Sequence, residues 1–202
     1  MKINSIIWDI GGVLERTEDP TPRNEIADHL GMTVNALSDL IFGNTTEFRV
    51  QLGQISREAH LAFVGSQLGL DDRAELDQVI DQFFAGDQLD TELVDRIREL
   101  KTKYTTAVLS NYSEILREKI TTSWEIGDAF DHLIISAEVG CKKPGPEIYQ
   151  IALETLGCQP GEAVFIDDFI ENIQAARQLG IHGILFQTPE QTLAELNTLL
   201  KG

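Results

Sequence analysis

Ala163-Val164-Phe165-Ile166-Asp167-Asp168 is a run of four apolar residues closed by two adjacent carboxylates. No polar residue alternates within 163–166, so both faces of this strand must be covered. That is the condition of a strand in a parallel sheet flanked by helices. Upstream, Pro146 sits where a first helical turn tolerates proline, and Gly157 suits the left-handed position after a helix end. Downstream, a helix over 169–179 closes at Gly180 and a strand over 183–186 follows. A last helix then opens with Thr188, Pro189 and Gln191 as N-cap, first position and capping box.

The same alternation extends towards the N-terminus. A helix over 91–102 places Leu93, Ile97 and Leu100 on one face. The strand Thr105–Ser110 follows, then a helix that Ser113 can cap, then a strand over 132–136. Residues 3–9 read as a first strand, ended by the turn-prone pair Gly11-Gly12. Strand-helix alternation of this kind predicts an α/β fold with a doubly wound parallel sheet. From about Thr17 to Asp90 the chain reads as helical, with no convincing strand, and Ser56 ahead of Arg57-Glu58-Ala59 makes an N-cap. The expected organisation is therefore a core of residues 1–15 and 89–202, with residues 16–88 inserted as an α-helical cap.

The 202 residues suffice for a buried core, and 42% hydrophobic with 24% charged is ordinary for a soluble globular chain. No apolar run reaches the eighteen or so residues of a membrane span. Residues 1–9 lack the apolar stretch and cleavage site of a signal peptide. Cys141 and Cys158 are too few for a disulfide framework, so a cytoplasmic protein with reduced thiols is expected. Sixteen Lys+Arg against thirty-three Asp+Glu leave a formal net charge of −17. That balance opposes nucleic-acid phosphates and anionic membranes. Residues 23–42 have the outline of a helix-turn-helix, yet no Lys or Arg lies between Thr33 and Phe42 to meet phosphate or guanine. Two packed cap helices are the better reading, and no nucleic-acid or membrane partner is expected. The oligomeric state stays open.

Three strands end in polar groups: Ile7-Trp8-Asp9, Leu109-Ser110-Asn111 and Ile166-Asp167-Asp168. Ligands in open parallel sheets bind beyond the carboxyl ends of the strands, so these groups should converge on one crevice. Crowded carboxylates repel, and a hard divalent cation with a preference for oxygen ligands relieves that repulsion. Lys142 and Lys143, directly before the rigid Pro144-Gly145-Pro146 entry to a helix, are an uncommon cationic pair in so acidic a chain.

Taken in order, Asp9-Ile10-Gly11-Gly12-Val13, Leu109-Ser110-Asn111, Lys143-Pro144 and Phe165-Ile166-Asp167-Asp168 with Asn172 resemble the four motifs of the haloacid dehalogenase-like hydrolases. The likeness runs from about Asn4 to Phe186. It is nearest to the helical-cap subgroup of sugar-phosphate phosphatases and the N-terminal phosphatase domain of soluble epoxide hydrolases. The resemblance implies a Rossmann-like core and a Mg²⁺-dependent phosphatase acting on a small phosphorylated metabolite, such as a sugar phosphate. It implies Asp9 as the nucleophile that becomes an aspartyl-phosphate. Ser110 and Asn111 would donate to the phosphoryl oxygens, and Lys143 would neutralise charge. Asp9, the Gly11 carbonyl, Asp168 and Asp167, directly or through water, would hold Mg²⁺.

One position departs from the resemblance. Most phosphatases of this kind carry a second aspartate two residues after the nucleophile, for acid-base work worth about 10²–10⁴-fold. Here that residue is Gly11, with Glu15, His29 and His60 as the substitutes to examine. The alternatives are a haloacid dehalogenase-type hydrolase, against which the Asp167-Asp168 pair argues, and a non-catalytic phosphoryl-ligand binding protein. Arg16 and Arg49 are the cap cations to watch for substrate contact, and Cys141 beside two lysines is the thiol to watch for a depressed pKa.

Overall fold

The computed structural model describes residues 2–201. Its sheet is built from β1 (Ser5–Trp8), β4 (Thr105–Ser110), β5 (His132–Ile135), β6 (Ala163–Asp167) and β7 (His182–Leu185), after the short strands β2 (Glu15–Thr17) and β3 (Asp87–Leu89). The spatial order is β5-β4-β1-β6-β7 and every pairing is parallel. β1 lies at the centre, with β4 on one side and β6 on the other, so the strand order reverses there. Trp8 is level with Val108 and Ile166, which brings Asp9 beside the ends of both neighbours.

Alternation along the strands divides the core into two clusters. Ile6, Trp8, Val108, Val164 and Ile166 belong to one. Ile7, Ala107, Leu109, Phe165 and Ile134 belong to the other. Burying each large side chain is worth about 1.5–3 kcal/mol, so neither face can be left without its helices.

The helices are α1 (Thr21–His29), α2 (Val34–Phe42), α3 (Thr45–Gln51), α4 (Arg57–Leu68), α5 (Arg73–Phe84), α6 (Thr91–Lys101), α7 (Leu116–Glu118), α8 (Ser136–Val139), α9 (Pro146–Leu156), α10 (Ile170–Gln178) and α11 (Pro189–Lys201). The expected helix ends at Ser56, Gly157 and Thr188 are present. The Ser56 hydroxyl accepts from the Ala59 N–H, and Thr188 Oγ1 from the Gln191 N–H. The Gln191 side chain reaches back one residue further than a capping box requires, to the Gln187 N–H.

Two local expectations fail. Ser113 does not cap a helix with its side chain; α7 is a single turn that continues into a wider turn over Lys119–Ser123. The stretch read as strand-free begins and ends in strands: β2 and β3 pair antiparallel, Arg16 opposite Gln88. Each is only three residues long, five of the six are polar, and each strand's partner lies some seventy positions away, so no local period announces them.

α1, α2, α4 and α5 enclose a separate apolar cluster of Ile26, Leu37, Ile41, Leu61, Val64, Ile80 and Phe83, the core of a helical cap. Arg23 ties it to the ribbon by two bonds to the Asp87 carboxylate, at 2.7 and 2.9 Å, while its guanidinium lies 4.5 Å over the Phe83 ring. On the opposite side the cap meets the core through Lys142 Nζ to Gln51 Oε1 (2.5 Å) and the Arg57 N–H to Glu114 Oε1 (3.2 Å). Among the described residues no helix is long and apolar enough to cross a membrane.

Candidate active site

Asp9 emerges from β1 with its N–H bonded to the Ile166 carbonyl and its Oδ1 accepting from the Ile10 N–H at 2.7 Å. Lys143 Nζ stands 2.9 Å from Asp9 Oδ2 and 2.6 Å from Asp167 Oδ2, with only 1% of its side chain exposed. A buried ammonium keeps its charge only if paired. Burial opposes the Lys143 charge, but Asp9 and Asp167 outweigh it and hold the pKa above its ordinary value.

Two side chains fix that lysine. Asn111, just past the end of β4, accepts from the Lys143 N–H (2.8 Å) and donates to the Lys143 carbonyl (2.9 Å). Asp167, besides its ion pair, accepts from the Phe169 N–H at 2.8 Å and from Asn172 Nδ2 at 3.0 Å. The Tyr149 hydroxyl in turn donates to the Asn172 carbonyl. Ser110 ends β4 with a buried side chain whose hydroxyl makes no hydrogen bond among the described residues.

Asp168 is the contrast. Its Oδ1 is buried without a partner, although Asp9, Asp167 and Asp168 each offer an oxygen within 4.8 Å of the others. Burial pushes the Asp9 carboxyl up to about 7 against the pull of Lys143, and pushes Asp168 up to about 6 with help from Asp167. Three carboxylates facing one lysine lack positive charge. A hard divalent cation supplies it, and Asp168 Oδ1 is a ready ligand. The turn after Asp9 fits the same ion. Its hydrogen bonds converge on the Ile10 carbonyl, from Val13, Leu14 and Glu15, and leave the Gly11 carbonyl unused.

The two glycines of this turn differ. Gly12 has φ +77°, and a Cβ there would lie 2.1 Å from Asp168 Oδ2. Glycine at 12 thus serves both a left-handed backbone and the approach of the carboxylate. A Cβ on Gly11 would meet nothing within 4 Å, and its φ lies outside the positive range. The backbone does not demand glycine at 11.

The other sequence candidates are otherwise engaged. Glu15 pairs with Lys119 at 2.8 Å, and Lys119 also bonds the Tyr112 hydroxyl. His60 is buried inside the cap, with Nε2 against the Ile41 carbonyl and Nδ1 against Thr46 Oγ1; burial lowers its pKa, against the pull of the Ile41 carbonyl. Its Nε2 also lies 3.4 Å from Glu47 Oε2. His29 and Arg49 lie exposed on cap helices. Arg16 pairs with Asp90 (2.8 Å) and Glu18 (3.1 Å), which makes it a brace of the ribbon. The Cys141 thiol is raised by burial and by Glu147, the reverse of an activated thiol.

Sequence reasoning overlooked one region. Phe42, Gly43, Asn44, Thr45 and Phe48 from the cap and Lys142 from the core line an open cleft of about 300 Å³. Phe42 and Phe48 are half exposed. The only signal was two phenylalanines on the polar side of short helices.

A family model described as haloacid dehalogenase-like hydrolase matches residues 3–180. The chain is 32% identical over 135 residues to bifunctional epoxide hydrolase 2 of Rattus norvegicus, covering 63% of the chain and 24% of that protein. It thus spans about a quarter of that relative's length. It is 28% identical over 197 residues to the sesquiterpene phosphatase astK of Aspergillus oryzae, covering 96% of this chain and 95% of the other. A haloacid dehalogenase family enzyme of Bacteroides thetaiotaomicron, solved with magnesium and inorganic phosphate, shares the fold at a TM-score of 0.71 and 23% identity, over 92% of this chain and 94% of that one.

Proposed function

The chain belongs to the haloacid dehalogenase-like hydrolases, and from that premise we propose that it is a Mg²⁺-dependent phosphatase of a small phosphorylated metabolite. The convergence of Asp9, Asp167 and Asp168 around one buried lysine carries this reading. A dehalogenase has no metal to hold and no use for an unpartnered Asp168. A relative that is itself a phosphatase over nearly its whole length, and a shared fold seen with magnesium and phosphate, support the same reading.

In this reading Asp9 attacks phosphorus in line, an oxygen–phosphorus bond forms, and the bond to the leaving oxygen breaks. Water then releases phosphate from the aspartyl-phosphate. Lys143 neutralises Asp9 and the phosphoryl oxygens, and Asp167 with Asn172 keeps its ammonium in place. The Asn111 side chain is spent on the Lys143 backbone, so its share in phosphoryl binding falls to its own N–H, beside the Ser110 hydroxyl. Asp9, Asp168, the Gly11 carbonyl and Asp167 would hold Mg²⁺, which when bound supplies charge stabilisation to the transferring group. Residues 16–88 form the cap over a core of 1–15 and 89–202, hinged at the β2–β3 ribbon.

The test is hydrolysis of an aryl phosphate with and without Mg²⁺, repeated on Asp9→Asn. Metal-dependent turnover lost in the variant is expected. Full activity in excess chelator, or half the activity remaining in Asp9→Asn, overturns the reading.

A further inference from the structure

We infer that Lys119 is a positioning residue of the phosphoryl site. Through Glu15 it holds the turn after Asp9 in the form that leaves the Gly11 carbonyl free, and through Tyr112 it locks that turn to the strand end carrying Ser110. That the carbonyl is kept free for a divalent cation rests on the phosphatase reading; the hold itself rests on contacts.

Glu15 is built into the turn twice. Its N–H donates to the Ile10 carbonyl at 2.9 Å, and its carbonyl accepts from the Gly12 N–H at 2.9 Å. These bonds bracket Gly11, so the place of Glu15 sets the place of the Gly11 carbonyl. The Glu15 carboxylate meets Lys119 Nζ at 2.8 Å, and the same ammonium donates to the Tyr112 hydroxyl at 2.9 Å. Tyr112 stands two residues past Ser110 and has a fixed backbone. Its N–H donates to the Ser136 hydroxyl at 3.0 Å and its carbonyl accepts from the Ala137 N–H at 3.3 Å. One ammonium thus joins the turn after β1 to the loop after β4.

The segment carrying Lys119 is irregular in a way that serves this contact. Lys119–Ser123 is a π turn, with the Trp124 N–H bonded to the Lys119 carbonyl at 2.7 Å. Five residues along an ordinary α-helix is about 140° round the axis, which would turn Trp124 away from Lys119. The wider turn brings the indole back, and Nζ lies 4.3 Å from its ring centroid. The next residue, Glu125, has φ +52°, the one non-glycine in the left-handed region among the described residues. Such backbone states persist where surrounding contacts hold them, and they gather at functional sites. The Lys119 side chain is 26% exposed and that of Glu15 17%. Burial opposes the Lys119 charge, but Tyr112 and Glu15 outweigh it and keep the pKa above its ordinary value. A surface pair of mobile side chains needs none of this scaffolding.

The experiment compares the whole chain with Lys119→Met, which keeps the stem and removes the charge and donors, and with Lys119→Arg, which restores both. Titration calorimetry follows Mg²⁺ binding, and hydrogen exchange at the Gly12 and Glu15 amides follows the turn without metal. Lys119→Met is expected to weaken Mg²⁺ binding about tenfold, the low end for a residue that orients a ligand. Exchange at the two turn amides should quicken while the amides within β1 and β4 keep their protection. Lys119→Arg should recover both readouts. Should Lys119→Met fail to fold, Glu15→Gln weakens the same pair and is expected to move both readouts in the same direction. Unchanged exchange at Gly12 and Glu15 overturns the inference, as does a loss of protection spread evenly over the sheet, the mark of general destabilisation. Equal Mg²⁺ affinity in parent and variant also overturns it and leaves the phosphatase reading standing. If the parent binds no Mg²⁺, that reading fails by itself, and exchange at the two turn amides alone decides whether Lys119 holds the turn.

Discussion

If the chain is the phosphatase proposed, Gly11 stands where its resemblance implies a carboxylic acid that protonates the leaving oxygen, and a Cβ there would meet nothing within 4 Å. The expected consequence is a steep dependence of kcat/KM on leaving-group pKa, because aryl oxygens leave unprotonated far more readily than alkoxides. Gly11→Asp should flatten that dependence at little cost in stability, since neither a positive φ nor a neighbour opposes a Cβ there. Rates across aryl and alkyl phosphates, wild type against variant, check it together with a thermal melt. A flat dependence in the wild type would show that another acid already works. Gly12→Ala should behave oppositely: its Cβ would enter the Asp168 carboxylate, so metal binding and stability should both suffer. The sequence brought out both glycines as a turn but not their difference, because backbone angle and a carboxylate from 156 residues away decide it. Asp9, Lys143, Asp167 and Asp168 were legible for a simpler reason. A carboxylate closing an apolar run, or a cation ahead of a proline-rich helix start, is conspicuous against its own neighbours.

At the scale of elements, the strand end after β6 divides labour between adjacent carboxylates. Asp167 is saturated by Lys143, Asn172 and the Phe169 N–H, whereas Asp168 keeps an unpaired oxygen. Asp168→Ala is therefore expected to weaken Mg²⁺ binding more than Asp167→Ala, with titration calorimetry as the measure. Asp167→Ala should instead destabilise the fold by about 3–5 kcal/mol, because it strips a buried lysine of one of its two partners. The β2–β3 ribbon is the element the sequence hid. Its strands are three residues each and mostly polar, and pairing across the whole cap leaves no local pattern, while the central core strands announced themselves by apolar runs such as Ile6-Ile7-Trp8 and 163–166. Braced by Arg16–Asp90 and Arg23–Asp87, the ribbon is where cap closure would bend the chain. Binding of a phosphate analogue with Mg²⁺ should change hydrogen-exchange protection at Glu15–Thr17 and over 86–91. Unchanged protection in both segments would mean that the cap does not move.

Across the whole molecule, a net charge of −17 makes compactness increasingly costly as carboxylates ionise. One of them sits on the seam between cap and core. Glu47 is pushed up to about 7 by burial first, opposed by its bond from Gln51 and by Lys142 and Arg57, with Glu114 adding to the rise. Burial lowers Lys142 at the same time, against the pull of Glu47. Both groups, each bonded to Gln51, are thus driven by burial towards their neutral forms. In the unfolded chain a glutamate titrates near 4.3, so between about pH 4.5 and 7 the folded state binds more protons there than the unfolded one. Stability must then fall as pH rises through that window. The Glu47 contribution is fully present below about pH 4.5 and gone above about pH 7. Glu47→Gln keeps the hydrogen-bonding shape and removes the titration. The variant is expected to match the parent near pH 4.5 and to exceed it at pH 8, by an amount on the order of 2 kcal/mol. Denaturant unfolding at the two pH values measures the difference directly, and the general repulsion of the acidic surface cancels between parent and variant. Equal stability at pH 8 would mean that water or Lys142 carries the Glu47 charge without cost, and that the seam between cap and core is wetter than its packing indicates.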